Sequence, residues 1–159
     1  MYKQSWFLVG GLTLANLVAQ QVVALPKDTA PKDLGHRLLP VLPWWTADVP
    51  LGITLMLLAS GRFQGVRWHD LARSCVWTYA WRLCTITCTL LPPPPGLECP
   101  WGQGGLLFSG HTATVALVAR HTSTTWMWVV VLAQGVLSIA ARQHYTSDVL
   151  CALAIACKA

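Results

Sequence analysis

The chain has 159 residues, of which 54% are hydrophobic and 11% charged, with a mean hydropathy of +0.49 and a formal net charge of +5. Soluble domains carry about a quarter charged residues, so this composition leaves too little polar side chain to cover a soluble globule. The basic residues lie scattered between apolar runs with no stripe or cluster, which excludes a nucleic-acid binder and fits charges that flank membrane segments.

Apolar stretches run over residues 5–25, 38–60, 71–91, 106–119, 124–141 and 148–157. About twenty apolar residues cross a bilayer core of roughly 30 Å. The first, second, third and fifth stretches meet or approach that length, and the fourth does so if its helix begins near Gly104 and passes Arg120. The sixth, at ~1.5 Å per residue, covers about half a bilayer, so the chain is expected to stop inside its last helix. The expectation is an all-α integral membrane bundle of about six transmembrane helices with the last one truncated, forming a single domain over 1–159. The first stretch is longer than the apolar part of a signal peptide and lacks a small-x-small cleavage site, which favours a retained helix. Trp6, Trp44, Trp45, Trp68, Trp101 and Trp126 lie near the expected helix ends, where amphipathic rings sit at the membrane interface.

The first loop, 26–37, is rich in Lys, Asp and Pro. The second carries Arg62, Arg67, His69 and Asp70. The third, 92–105, opens with four prolines and cannot continue a helix. The fourth and fifth are 120–124 and 142–147. Alternating these across a membrane puts Lys3, Arg62, Arg67, Arg73, Arg120 and Lys158 on one side, against Lys27, Lys32, Arg37 and Arg142 on the other. That bias leans toward a cytoplasmic N-terminus, with loops one, three and five on the lumenal or extracellular face. Five of the six cysteines (Cys75, Cys84, Cys88, Cys151 and Cys157) sit in apolar runs and read as small packed hydrophobes. Only Cys99 lies in a polar loop, and no zinc spacing occurs.

Loops three and five share a face under any alternating topology, and they carry the chemistry. Loop three ends in Phe108-Ser109-Gly110-His111-Thr112 and loop five contains Arg142-Gln143-His144-Tyr145-Thr146-Ser147-Asp148. His144 and Asp148, four apart at a helix start, share a face. Asp148 then orients one ring nitrogen and leaves the other as nucleophile or base. Alone, that pair is equally a helix-start carboxylate favoured by the macrodipole. Ser109 and Gly110 open the fourth helix, where backbone N–H groups can receive a phosphate, and His111 is placed for proton transfer. A capped helix with an incidental histidine accounts for that tetrapeptide as well. Arg142 can clamp phosphate oxygens or anchor an interface. Arg82, inside the third apolar run, marks a functional cavity or a structural ion pair. His36, His69 and His121 read as ordinary loop and helix-end residues.

Ser109-Gly110-His111 followed by His144-Tyr145-Thr146-Ser147-Asp148 resembles the type-2 phosphatidic acid phosphatase superfamily. Phe108 to Thr112, together with His144-Tyr145-Thr146-x-Asp148-Val149, is similar more narrowly to its sphingomyelin synthase branch. Arg82-Leu83-Cys84-Thr85-Ile86-Thr87, leading to Thr89-Leu90-Leu91-Pro92, resembles that branch's third-helix motif, and Asp33-Leu34-Gly35-His36 its first motif. The resemblance runs from about Lys32 onward. It departs at Gly105, where the branch carries an acidic residue, and at Arg142, which does not match the wider phosphatase arginine pattern.

The resemblance implies six transmembrane helices in the Golgi, endoplasmic reticulum or plasma membrane, with the reaction on the lumenal or extracellular face. It implies His144 as nucleophile toward a phospholipid donor, Asp148 as its orienter, and His111 as acid and then base toward ceramide as acceptor. Ser109, Gly110, Arg142 and Arg82 would hold the phosphate, with no metal or other cofactor. The alternatives are a lipid phosphate phosphatase using water and an inactive or truncated relative.

Overall fold

The computed structural model describes residues 2–22, 32–63, 65–88, 94 and 108–159. They fold into helices α1 (Tyr2–Val22), α2 (Leu34–Leu38), α3 (Asp48–Ala59), α4 (Trp68–Cys88), α5 (Gly110–His121), α6 (Met127–Ala140) and α7 (Thr146–Lys158), with a 3-10 turn over Trp44–Ala47 ahead of α3. Among the described residues there is no strand. The all-α expectation holds.

The boundaries differ from the apolar runs for local reasons. The second run is broken because Pro40 and Pro43 disfavour helix around them, so only Asp48–Ala59 forms a continuous helix. The fourth begins at Gly110, with Ser109 as its cap; the part expected to reach Gly104 lies outside the described residues. Only α1 and α4 have 21 residues; α3, α5, α6 and α7 have 12 to 14, or about 18–21 Å at 1.5 Å per residue. No helix among the described residues is long and apolar enough to cross a membrane. The expectations for most of loop three, including Cys99, Trp101 and Gly105, fall outside the described residues.

Helix α5 is the hub and packs on α3, α4, α6 and α7, whereas α1 lies along α4. Its sequence explains this. Ala113, Val115, Ala116, Leu117, Val118 and Ala119 are all buried, and the small side chains allow neighbouring backbones to come close. Phe63, Leu71, Met127 and Val131 complete the main apolar cluster.

The surface is as apolar as the interior. Phe7 is 82% exposed, and Leu14, Leu17, Val18, Met56, Val129, Leu132 and Leu150 are all more than half exposed. Asn16, Thr54, Ser74, Thr78, Arg82, Gln134 and Ser138 are buried instead. Two of these buried groups make short bonds to other elements. Gln134 Nε2 donates to Ala47 O at 2.7 Å, and Asn16 Nδ2 to Tyr79 O at 3.0 Å. Of the cysteines expected to pack internally, Cys75 is buried and Cys151 half-buried. Cys84, Cys88 and Cys157 are exposed among the described residues.

Candidate active site

The two histidine motifs meet through the backbone. Ser109 N–H donates to Asp148 O at 3.2 Å, joining the start of α5 to the first turn of α7. Ser109 also caps α5: its Oγ accepts from Thr112 N at 3.3 Å and lies 3.0 Å from Thr112 Oγ1.

His144 occupies the turn between α6 and α7, and its Nδ1 donates to Asp148 Oδ2 at 3.3 Å. Asp148 is fully buried and its carboxylate also accepts from Tyr145 N at 2.9 Å and Ser147 Oγ at 3.2 Å. Three bonds fix the carboxylate, and the carboxylate fixes the imidazole. Nε2 of His144 has no hydrogen bond among the described residues and is the nitrogen free to react. Burial holds His144 below its ordinary value; Asp148 opposes this, while the charges of His111 and Arg82 add to it. A neutral imidazole, oriented through one nitrogen, is the form a nucleophile requires.

His111 stands in the first turn of α5, part-exposed, with Nε2 2.9 Å from Asp48 Oδ1. Asp48 is the first residue of α3 and carries no sequence signal, because its partner lies 63 positions away in no motif. This carboxylate orients His111 much as Asp148 orients His144.

Arg82 is 6% exposed; Nη1 donates to Asn16 Oδ1 at 2.9 Å, and Nε is buried with no partner among the described residues. It lies against the start of α5, where a Cβ added to Gly110 would come within 3.0 Å of Nε. Gly110 is what lets the guanidinium reach the helix N-terminus, where N–H groups and dipole also favour an anion.

Arg142 does something different from a simple clamp. Its Nη2 donates to His36 O at 2.8 Å and Leu39 O at 3.3 Å, while Nη1 is buried with no partner among the described residues. Arg142 also has φ 58, a left-handed conformation uncommon outside glycine and concentrated at functional sites. His36, read from sequence as an ordinary loop residue, donates from Nε2 to His144 O at 3.0 Å. Asp33 caps α2 through His36 N at 2.9 Å and accepts from Thr146 N at 2.8 Å and Thr146 Oγ1 at 2.9 Å. Asp33 to His36 therefore buttress the His144 turn. Their nearness to each other in sequence was a signal; their target was not.

Among the described residues no group of three or more His, Cys, Asp or Glu could hold a metal ion. The arrangement defines a class: an all-helical protein with one histidine oriented by a buried carboxylate, a second carboxylate-paired histidine and a buried guanidinium whose Nε has no partner among the described residues. That set suits attack on a phosphate ester. The family model described as PAP2 superfamily C-terminal matches residues 104–159, which takes in His111, His144 and Asp148. The match supports the type-2 phosphatidic acid phosphatase superfamily and, with it, phosphatase or phosphotransferase chemistry. No curated protein matches the chain.

Proposed function

We propose that the protein is a membrane phospho-headgroup transferase that moves a headgroup from a glycerophospholipid to ceramide through a phosphohistidine. The observation that carries this reading is the pairing of each histidine with its own carboxylate beside the unpaired Nε of Arg82. His144 Nε2 attacks phosphorus; the P–N bond forms as the P–O bond to diacylglycerol breaks. His111 gives its proton to the departing oxygen. It then takes the proton of the ceramide primary hydroxyl, whose oxygen attacks phosphorus and breaks the P–N bond, returning His144 to its starting state. Arg82, and Arg142 through Nη1, donate to the phosphate oxygens, and the Ser109–Gly110 helix start supplies backbone N–H groups. The branch resemblance is what supports ceramide over water as acceptor.

A membrane location, with the site on the lumenal or extracellular face, is part of the proposal. Its support is the exposed leucines, valines and tryptophans of α1, α3, α4 and α6, a covering suited to hydrocarbon rather than water.

The test uses membranes from cells expressing the chain, supplied with fluorescent ceramide and a phospholipid donor. A new phosphosphingolipid is expected, falling to background in His144→Ala. Inorganic phosphate released from phosphatidic acid, with no phosphosphingolipid formed, would instead assign water as the acceptor.

A further inference from the structure

A cavity of about 340 Å³ opens at the far ends of α5 and α7 from the His144–Asp148 pair. Along α5, the ten residues from Gly110 to Arg120 separate the two places by about 15 Å. Arg67, Arg73, Arg120 and Lys158 line it, against one side-chain carboxylate, Asp70, and the backbone of Ala159. Arg67 is paired with Asp70 at 3.6 Å and Arg120 Nη1 donates to Cys157 O, while Arg73 and Lys158 have no ion pair among the described residues. The cavity is of the size that takes a small ligand, and its lining is cationic beyond what its own acid balances.

His121 gives it a built polar contact. The ring is 5% exposed; Ser74 Oγ donates to Ala159 O at 2.9 Å, so at 2.9 Å from that oxygen His121 Nε2 must itself donate. Nδ1 is then left buried, with no partner among the described residues. A phosphate monoester satisfies it in either state, because a singly protonated phosphate donates and a bare one accepts from imidazolium. A carboxylate offers only the second. Trp77 supplies an aromatic wall on the exposed side of α4, beside Trp81 at 5.8 Å between ring centroids.

We propose that this cavity binds a phosphate monoester anion, and that its source is the headgroup of a phosphomonoester lipid in the leaflet opposite the reaction. The lipid source rests on the membrane reading above; the anion site does not. It is distinct from the donor-binding centre and leaves the reaction chemistry untouched.

The test uses the His144→Ala chain, which does not turn over phosphatidic acid, purified in neutral detergent micelles. Its thermal midpoint is followed with micelles doped with dioleoyl phosphatidic acid, with phosphatidylcholine, or with inorganic phosphate added instead. Phosphatidic acid is expected to stabilise the chain and phosphatidylcholine not to. Arg73→Gln with Arg120→Gln should weaken the apparent affinity about tenfold or more, the loss of at least one charge-assisted bond, and Arg73→Lys with Arg120→Lys should restore most of it. The lysine pair also reports on folding, since it keeps the charge at the same positions. Equal stabilisation by inorganic phosphate, lost in the glutamine pair, would keep the anion site and overturn the lipid source. No stabilisation by either, or the same stabilisation in the glutamine pair, would overturn the site.

Discussion

Asp33 and His144 show how single groups set the pH behaviour of this protein. Burial pushes the Asp33 carboxyl up, but the N–H groups of His36 and Thr146 and the Thr146 hydroxyl outweigh it and hold the group below its ordinary value of 3.8. A depressed carboxylate stabilises the fold above its unfolded value, and that contribution is lost as pH falls below about 3.8. Asp33→Ala should therefore cost about 1–2 kcal/mol at neutral pH, the scale of a lost cap plus a lost side-chain bond. Thermal melts of the two proteins should converge toward pH 3. His144 runs the other way: burial lowers it, so on the proposed mechanism its neutral, nucleophilic form persists below the ordinary 6.5 and the acid limb of the rate is expected under that value. Asp148→Asn removes the group that holds the ring up. It should move the acid limb to still lower pH while cutting the rate about a thousandfold, since the ring also loses its orientation. A rate–pH profile with the limb unmoved would remove Asp148 from this role.

Between elements, two glycines carry the approach on which the site depends. A Cβ on Gly35 would lie 2.5 Å from Thr146 Oγ1 and 2.7 Å from Ile139 Cγ2, so Gly35→Ala should lift α2 from α6 and α7. A cost of about 1–3 kcal/mol is expected from such overpacking, with activity falling because His36 no longer reaches the His144 backbone. Gly110→Ala meets only the Arg82 guanidinium, at 3.0 Å, and should reduce kcat with little change in Tm. The sequence carried part of this. The serine–glycine–histidine start of α5 and the i,i+4 spacing of His144 and Asp148 are local features, and local features survive in a linear reading. The Asp48–His111 and His36–His144 contacts join distant segments with no shared period, so no spacing announces them. The same holds for the second helix, whose apolar run continues through Pro40 and Pro43 although the backbone cannot follow.

At the scale of the whole molecule, the exposed leucines, valines and tryptophans of the described helices support the proposed hydrocarbon surround. The protein should stay in the membrane fraction through an alkaline carbonate wash; quantitative release into the supernatant would sink the membrane reading. The all-α class was legible from the apolar runs and the resemblance they accompany. The helix lengths were not, because an apolar run overstates helix length wherever a proline or cap interrupts it.

The Asn16–Arg82 bond has a consequence for how the chain is made. Its two partners are separated by 66 residues, and α1 packs along α4. At about 5–20 residues per second of synthesis, Asn16 emerges roughly 3–13 s before the arginine that will hold it. Over that interval Nδ2 of Asn16 can already bond Leu12 O within the first helix, at 2.7 Å in the folded chain, but the amide oxygen lacks its native donor. Asn16→Leu should ease this early stage and penalise the late one, when Arg82 arrives and finds nothing for Nη1. Pulse-chase labelling should show normal early yield of that variant followed by accelerated degradation.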